Sequence, residues 1–334
     1  MKETFQNAFL GALVADAVAM PVHWYYNTEA LDRDYGRLTG YVAPKDTHPD
    51  SILWRSQYEP RNEIGDILHD QAKYWGVRDI HYHQFLPAGG NTVNYLLAAL
   101  LYRSTVGDGF YDADIWLDAY ITAMQTPGWH NDTYLEEYHR AFFDRLAMGM
   151  KPRACAIDDL HIGGLASVPA LIAALDAICE RSLEDDLATV REHVSLTHLN
   201  PHVDACALAL TNMLHAIDSG CGVRDAIREH AKPWLGFAKF ENIAQLPDRD
   251  IVGKVLSTAC YLPESFVASL CLCWKYANDF DGGILANAHC GGDSCHRGAV
   301  VGSILAAGNG IDPHWLQGLK SMDGLGYETL PGTV

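Results

Sequence analysis

The sequence is short of positive charge. Lys and Arg number 24 against 42 Asp and Glu, a formal net charge of −18. Such a surface repels a phosphate backbone, so nucleic acid is not expected as a partner. An uninterrupted apolar run of membrane-spanning length is also missing. The longest run, from Ala8 to Val22, is broken by Asp16, and a bilayer needs about 20 apolar residues. No basic stretch leads into an apolar segment with a small-residue cleavage site, so a cytoplasmic protein without membrane contact is expected. The nine cysteines are odd in number and lack zinc-ribbon spacing, which reads as reduced, mostly buried thiols. Alternating strand patterns, tandem repeats and linker-like stretches are absent too. What remains is one helical unit: an all-α, single compact orthogonal domain over residues 1–334.

The richest stretch is His289 to Gly310. Gly291 and Gly292 break a helical pattern, and Asp293-Ser294 stand where an N-cap belongs, ahead of the apolar run through Ala299, Val300, Ile304 and Leu305. Asp293, Cys295 and His296 are thereby gathered in one turn at the positive end of a helix, which favours anions. Gly298 and Gly302, four residues apart, allow a second helix to approach closely behind it.

The first helix is predicted from Thr4, as its cap, to Met20, stopped by Pro21. It is apolar almost all round, which marks a buried helix, and Asp16 inside it needs a partner because an unpaired buried carboxylate costs several kcal/mol or becomes protonated. His23, Trp24, Tyr25 and Tyr26 follow as an aromatic cluster suited to a pocket wall. Residues 27–80 show no sustained period, and a long irregular stretch in a folded domain is usually functional or disordered; its aromatic density argues against disorder. His81, His83 and Gln84 lead to Gly89-Gly90-Asn91-Thr92 and an amphipathic helix from Val93. Further helices are expected over Ile115–Met124, Thr133–Met148 with Asp132 as cap, from Gly163-Gly164 through Leu175, over Val203–Ile217, and as a buried pair within Ser257–Asn278. His130 and His161 lie on polar connectors between them.

Taken together, these motifs resemble the ADP-ribosylglycohydrolase family, which includes the ADP-ribosyl-protein hydrolases and dinitrogenase reductase activating glycohydrolase. Gly11 to Asp16 followed by Pro21 is similar to the family's opening helix. Thr197-His198, Pro263-Glu264-Ser265 and Pro313 to Leu319 resemble later segments, and Gly291-Gly292-Asp293 matches the start of the Gly-Gly-Asp-Thr-Asp-Thr signature. The resemblance implies an all-α fold and hydrolysis supported by two Mg²⁺ or Mn²⁺ ions held by carboxylates, as hard cations require.

Here the sequence departs from the family. The first metal motif falls on Gly89-Gly90-Asn91-Thr92, the second reads Asp293-Ser294-Cys295-His296, and the Glu expected after Pro21 is His23. One aspartate of four survives. Two dications about 4 Å apart repel by several kcal/mol even at an effective dielectric of about 20, so the binuclear site is expected to be absent, and no cofactor is expected in its place.

Three readings remain open. In the first, a metal-independent hydrolase or lyase acts on a small polar, N-glycosidic or ribosylated molecule, with Asp293, His296, Cys295 and Asp16 as catalytic candidates. Asn91, Thr92, His23, Trp24, His81, His83, Gln84, His130, His161 and Gly292 are its substrate-binding candidates. In the second, a single softer cation such as Zn²⁺ or Fe²⁺ is held by Asp293 and His296 with Cys295 or another histidine. In the third, the chain is a binding or structural member without activity.

Overall fold

The computed structural model describes residues 2–322. Fifteen helices are used as landmarks below: α1 (Glu3–Ala19), α2 (Thr28–Tyr35), α3 (Val93–Asp108), α4 (Ala113–Gln125), α5 (Glu137–Ala147), α6 (Val168–Ile178), α7 (Leu183–Ser195), α8 (Pro201–Asp218), α9 (Val223–His230), α10 (Phe237–Ala244), α11 (Asp248–Ile251), α12 (Glu264–Lys275), α13 (Phe280–His289), α14 (Ser294–Asn309) and α15 (Pro313–Gly318). Among the described residues there are no β-strands, only isolated bridges such as Thr47 with Ile80. The fold is all-α, as the sequence predicts.

The centre of the molecule is the pair α1 and α14, which pack against each other more extensively than any other two elements. Both are buried on nearly every face, which explains why neither shows an apolar stripe. Their approach is set by small residues. A Cβ on Gly302 would lie 2.1 Å from the Gly11 carbonyl oxygen, and one on Gly11 would lie 2.4 Å from the Gly302 carbonyl oxygen. Gly298 faces Ala15 with more room, 3.3 Å. By length and composition the segment Glu3–Val22 could cross a membrane, but it is 94% buried inside the protein and forms its core. The surrounding helices α3, α6, α8, α12 and α13 bury Leu101, Leu171, Leu210, Leu270 and Ile284 in the same contiguous apolar cluster.

Several helix ends follow sequence chemistry. Asn27 caps α2, Asp112 caps α4, Asn200 with Pro201 begins α8, and Asp312 with Pro313 begins α15. Others differ from expectation. Helix α1 starts at Glu3 with Lys2 at the N-cap position and no side-chain cap bond, so Thr4 is not its cap. Helix α5 begins at Glu137 rather than Thr133, because Asp132 is engaged elsewhere. The expected helix pair in 257–278 is one helix, α12, preceded by an irregular arm of bends and turns. Residues 27–80 contain α2 and three short 3₁₀ turns, Leu53–Arg55, Glu63–Gly65 and His69–Tyr74.

Candidate active site

The Gly-Gly-Asp turn is pinned from two sides. Gly291 and Gly292 take φ of 66° and 61°, the left-handed region that glycine reaches without a Cβ penalty. Gly292 donates its N–H to the Tyr25 carbonyl and accepts from Trp24 N–H, both at 2.7 Å, while Asp293 N–H donates to the Thr258 carbonyl at 2.9 Å. A Cβ on Gly292 would meet that carbonyl oxygen at 2.3 Å. Trp24 itself sits at φ 62°, a conformation costing about 1–3 kcal/mol in a non-glycine residue, held by its bond to Gly292. Asp293 then caps α14 by accepting from His296 N–H.

From this cap runs a buried chain of imidazoles and carboxylates. His296 Nδ1 lies 2.7 Å from Asp293 Oδ1, and its Nε2 lies 3.1 Å from Glu136 Oε1 and 2.9 Å from Asn94 Nδ2. On the other side His23 Nε2 is 3.2 Å from the same Asp293 oxygen. His23 Nδ1 meets His83 Nε2 at 2.8 Å, and His83 Nδ1 meets Asp132 Oδ1 at 2.5 Å. Asp132 Oδ2 accepts from Val93 N–H at the start of α3. All six groups are at most 5% exposed. Behind them, Asn94 Oδ1 accepts from Tyr138 and His139.

Burial and charge pull these groups in opposite directions. For Asp293, burial raises the pKa, but the neighbouring His296 and His23 imidazoles outweigh it and hold the carboxyl well below its usual range. Glu136 is likewise raised by burial and brought below its usual range by His296. Burial lowers His296, yet Asp293 and Glu136 together push it up to about 10. Burial dominates at His23, which falls to about 3.

Above the chain opens a cleft of about 230 Å³ lined by Trp24, Tyr26, Tyr82, Tyr134, Glu136 and His161, with Cys260 at its rim. Trp24 stands edge-on to Tyr82 and Tyr134 and stacks over His23 at 3.8 Å. Two buried carboxylate oxygens lack a hydrogen-bond partner: Glu136 Oε2 in the cleft lining and Asp293 Oδ2 behind it. Asp293 Oδ2 lies 3.5 Å from His161 Nε2.

Three histidines share one local device. In His48, His81 and His161, Nδ1 accepts the backbone N–H two residues on, at 3.1, 3.0 and 2.9 Å. The proton of each neutral ring must then sit on Nε2. His48 donates it to the His23 carbonyl and His81 to the Pro21 carbonyl, so both position the 21–23 segment. His161 directs it at Asp293 and the cleft.

Not every candidate from the sequence reaches this place. Asp293, His296, His23, His83, Trp24 and His161 do. Cys295 does not: it is fully buried, its thiol points at the Asp16 carbonyl 3.7 Å away, and burial together with Asp16 raises it well above the usual thiol range. This corrects its assignment as nucleophile. Asp16, Asn91 and Thr92 form a closed cluster instead of a substrate contact. Asp16 accepts from Asn91 Nδ2, Thr92 N–H and Thr92 Oγ1 at 2.8 to 2.9 Å, and Asn91 is saturated by Leu13 and Ser321 besides. Gly292 serves the backbone ladder. His81 and His130 are structural, the latter donating to the Ile67 carbonyl, and Gln84 is half-buried outside the cleft lining. Sequence reasoning missed Glu136, Asp132, Asn94, Tyr82, Tyr134 and Cys260. Asp132 lay in the polar connector 127–132 and read only as a cap, and Glu136 fell inside the helix expected over Thr133–Met148.

The all-α frame, two buried small-residue helices with a carboxylate-bearing Gly-Gly turn at the start of one, is that of a known family of proteins. The ADP-ribosylglycohydrolase family model matches residues 1–331, and the chain belongs to that family. A solved structure described as an ADP-ribosylglycohydrolase-related protein complex superposes with a TM-score of 0.58 over 97% of this chain and 94% of its own, at 17% identity. That likeness speaks to the fold alone. No protein with a curated description matches.

Proposed function

We propose that the chain is a hydrolase of a small polar molecule carrying an N-glycosidic or ribosyl group, working without the family's pair of magnesium or manganese ions. The observation that carries the reading is Glu136 in the cleft lining, whose buried Oε2 has no hydrogen-bond partner and whose carboxyl is held below its usual range, with the unpartnered Asp293 Oδ2 behind the lining against His161. Carboxylates kept dry and charged are costly unless they act on something that enters.

The residues present suit a binuclear cage poorly. At the first motif, Asn91 and Thr92 present donors that Asp16 consumes. At the second, His296 and His23 place ring nitrogens around the one surviving aspartate. Hard cations at octahedral sites require oxygen ligands and several carboxylates to offset their repulsion.

In the reaction, a water held at the floor loses a proton to Glu136 Oε2 while its oxygen bonds to the anomeric carbon. The electron pair of the glycosidic bond leaves with the departing group, and His161 Nε2–H steadies that group by a hydrogen bond. The proton on Glu136 then passes to it. The tautomer of His161 is fixed by Gly163 N–H, so it acts as donor and not as base. Trp24, Tyr82 and Tyr134 supply flat apolar faces for a ring.

The test is turnover of a panel of N-ribosylated small molecules. Glu136→Gln is expected to lower kcat by about 10²–10⁴ with the ligand still bound, while Cys295→Ser keeps activity. Equal turnover in wild type and Glu136→Gln, or no turnover of any member by wild type, would remove the reading.

A further inference from the structure

The hydrogen-bond directions along the buried chain leave a gap at its centre. Asp132 accepts from Val93 N–H and is paired with His83 Nδ1, so His83 Nδ1 carries a proton. A neutral His83 therefore accepts at Nε2, from His23 Nδ1–H. This leaves the lone pair of His23 Nε2 aimed at Asp293 Oδ1, 3.2 Å away, two acceptors facing each other. On the opposite side His296 Nε2 lies against Glu136 Oε1, and its Nδ1 shares a proton with the same Asp293 oxygen, the proton that a bound cation would displace. The three inward atoms, His23 Nε2, His296 Nδ1 and the Asp293 carboxylate, lie within 4.8 Å of one another.

We propose that these three groups bind one divalent d-block cation of the Zn²⁺ or Fe²⁺ class, a two-histidine, one-carboxylate site directly behind the cleft residues Glu136 and His161. With bonds of about 2.0–2.2 Å, adjacent ligand atoms stand about 3 Å apart. The observed separations of 3.2 and 2.7 Å fit that spacing. Each imidazole then turns its other nitrogen outward to a supporting acceptor, His296 to Glu136 and His23 through His83 to Asp132. Metal-ligating histidines are oriented in this way. Two nitrogens and one oxygen, with further positions open, suit zinc or ferrous iron and not magnesium. The unpartnered Asp293 Oδ2 is 1% exposed with its residue and supplies either a second bond to the same ion or an acceptor for a water on it.

A competing cluster, His161, Cys260 and Asp293, is also close enough in space. It is the weaker choice because His161 Nδ1 accepts from Gly163 N–H, which puts a proton on Nε2 and removes the lone pair a metal needs.

Binding of the ion stands apart from the hydrolase reading, but its use in activating water rests on that reading. The test is metal analysis of full-length protein purified without chelator, then after addition of Zn²⁺ or, anaerobically, Fe²⁺. About one equivalent of zinc or iron per chain is expected. His23→Gln and Asp293→Asn should each lose most of it, while Cys260→Ser and Cys295→Ser retain it. The Co²⁺-substituted protein should show d–d bands without an intense thiolate charge-transfer band. Less than about 0.1 equivalent after reconstitution, or loss in Cys260→Ser with a thiolate band, overturns this site and leaves the hydrolase reading intact. Two equivalents of magnesium or manganese overturn both. One equivalent of zinc with no turnover of any glycoside supports the site and sinks the hydrolase.

Discussion

At the scale of residues, the account turns on which buried carboxylates are used and which are merely tied down. Asp16 belongs to the second kind. Its carboxyl is raised from 3.8 to about 6, by burial first and against the bonds from Asn91, Thr92 and Cys295. A carboxyl raised on folding stabilises the native state fully below its unfolded value, near 3.9, and loses that contribution as pH rises through about 6. The cost of holding it charged at neutral pH is about 3 kcal/mol. The titratable groups facing it, the Cys295 thiol and the Tyr95 phenol, are both shifted far upward and stay neutral across this range. Asp16→Asn should therefore gain on wild type between pH 4 and pH 7, the Tm difference moving in the variant's favour by several degrees. A difference independent of pH would contradict this.

The same scale shows what could be read beforehand. Asp293 and His296 were legible because two glycines and a cap position mark a helix start whatever surrounds it. Glu136 and Asp132 were not. Asp132 precedes a helical pattern and looks like its cap, yet its carboxylate caps α3, 39 residues earlier in the chain. Local spacing carries no information about such a bond. Cys295 was misread for the complementary reason: adjacency to His296 puts it on another face of α14, towards Asp16.

At the scale of elements, the site depends on how closely α1 and α14 approach, since α1 leads into His23 and α14 starts at Asp293. Gly302→Val places side-chain atoms where the Gly11 carbonyl lies and should destabilise by about 3 kcal/mol or more, read as a large fall in the urea midpoint. Gly298→Ala, with 3.3 Å of room, should cost less than about 1 kcal/mol. Similar losses in both would show that the contact is looser than described. This pairing was visible in sequence as small residues four apart. The course of 27–80 was not, because its order comes from long-range bonds: His48 and His81 reach back to the carbonyls of His23 and Pro21. Nor was the irregular arm before α12 visible. Its residues are apolar enough for a helix, but the Thr258 carbonyl is needed by Asp293 N–H.

At the scale of the whole molecule, family membership and chemistry separate. The frame of helices is that of the ADP-ribosylglycohydrolases, and its signature segments were legible in the sequence because glycines, prolines and apolar runs set them. Within it, the site proposed above sets imidazoles where the resembled signature has oxygen ligands. Its floor combines Asp293, Glu136 and Asp132 with His23, His83 and His296, so that ring nitrogens separate the carboxylates that two cations would have to bridge. The most direct measurement of that claim is electron paramagnetic resonance during a Mn²⁺ titration of the chelator-treated protein. The account predicts signals of isolated Mn²⁺ only, with no spin-coupled pair at any concentration; a coupled pair of about two Mn²⁺ per chain, as ions about 4 Å apart produce, would contradict it.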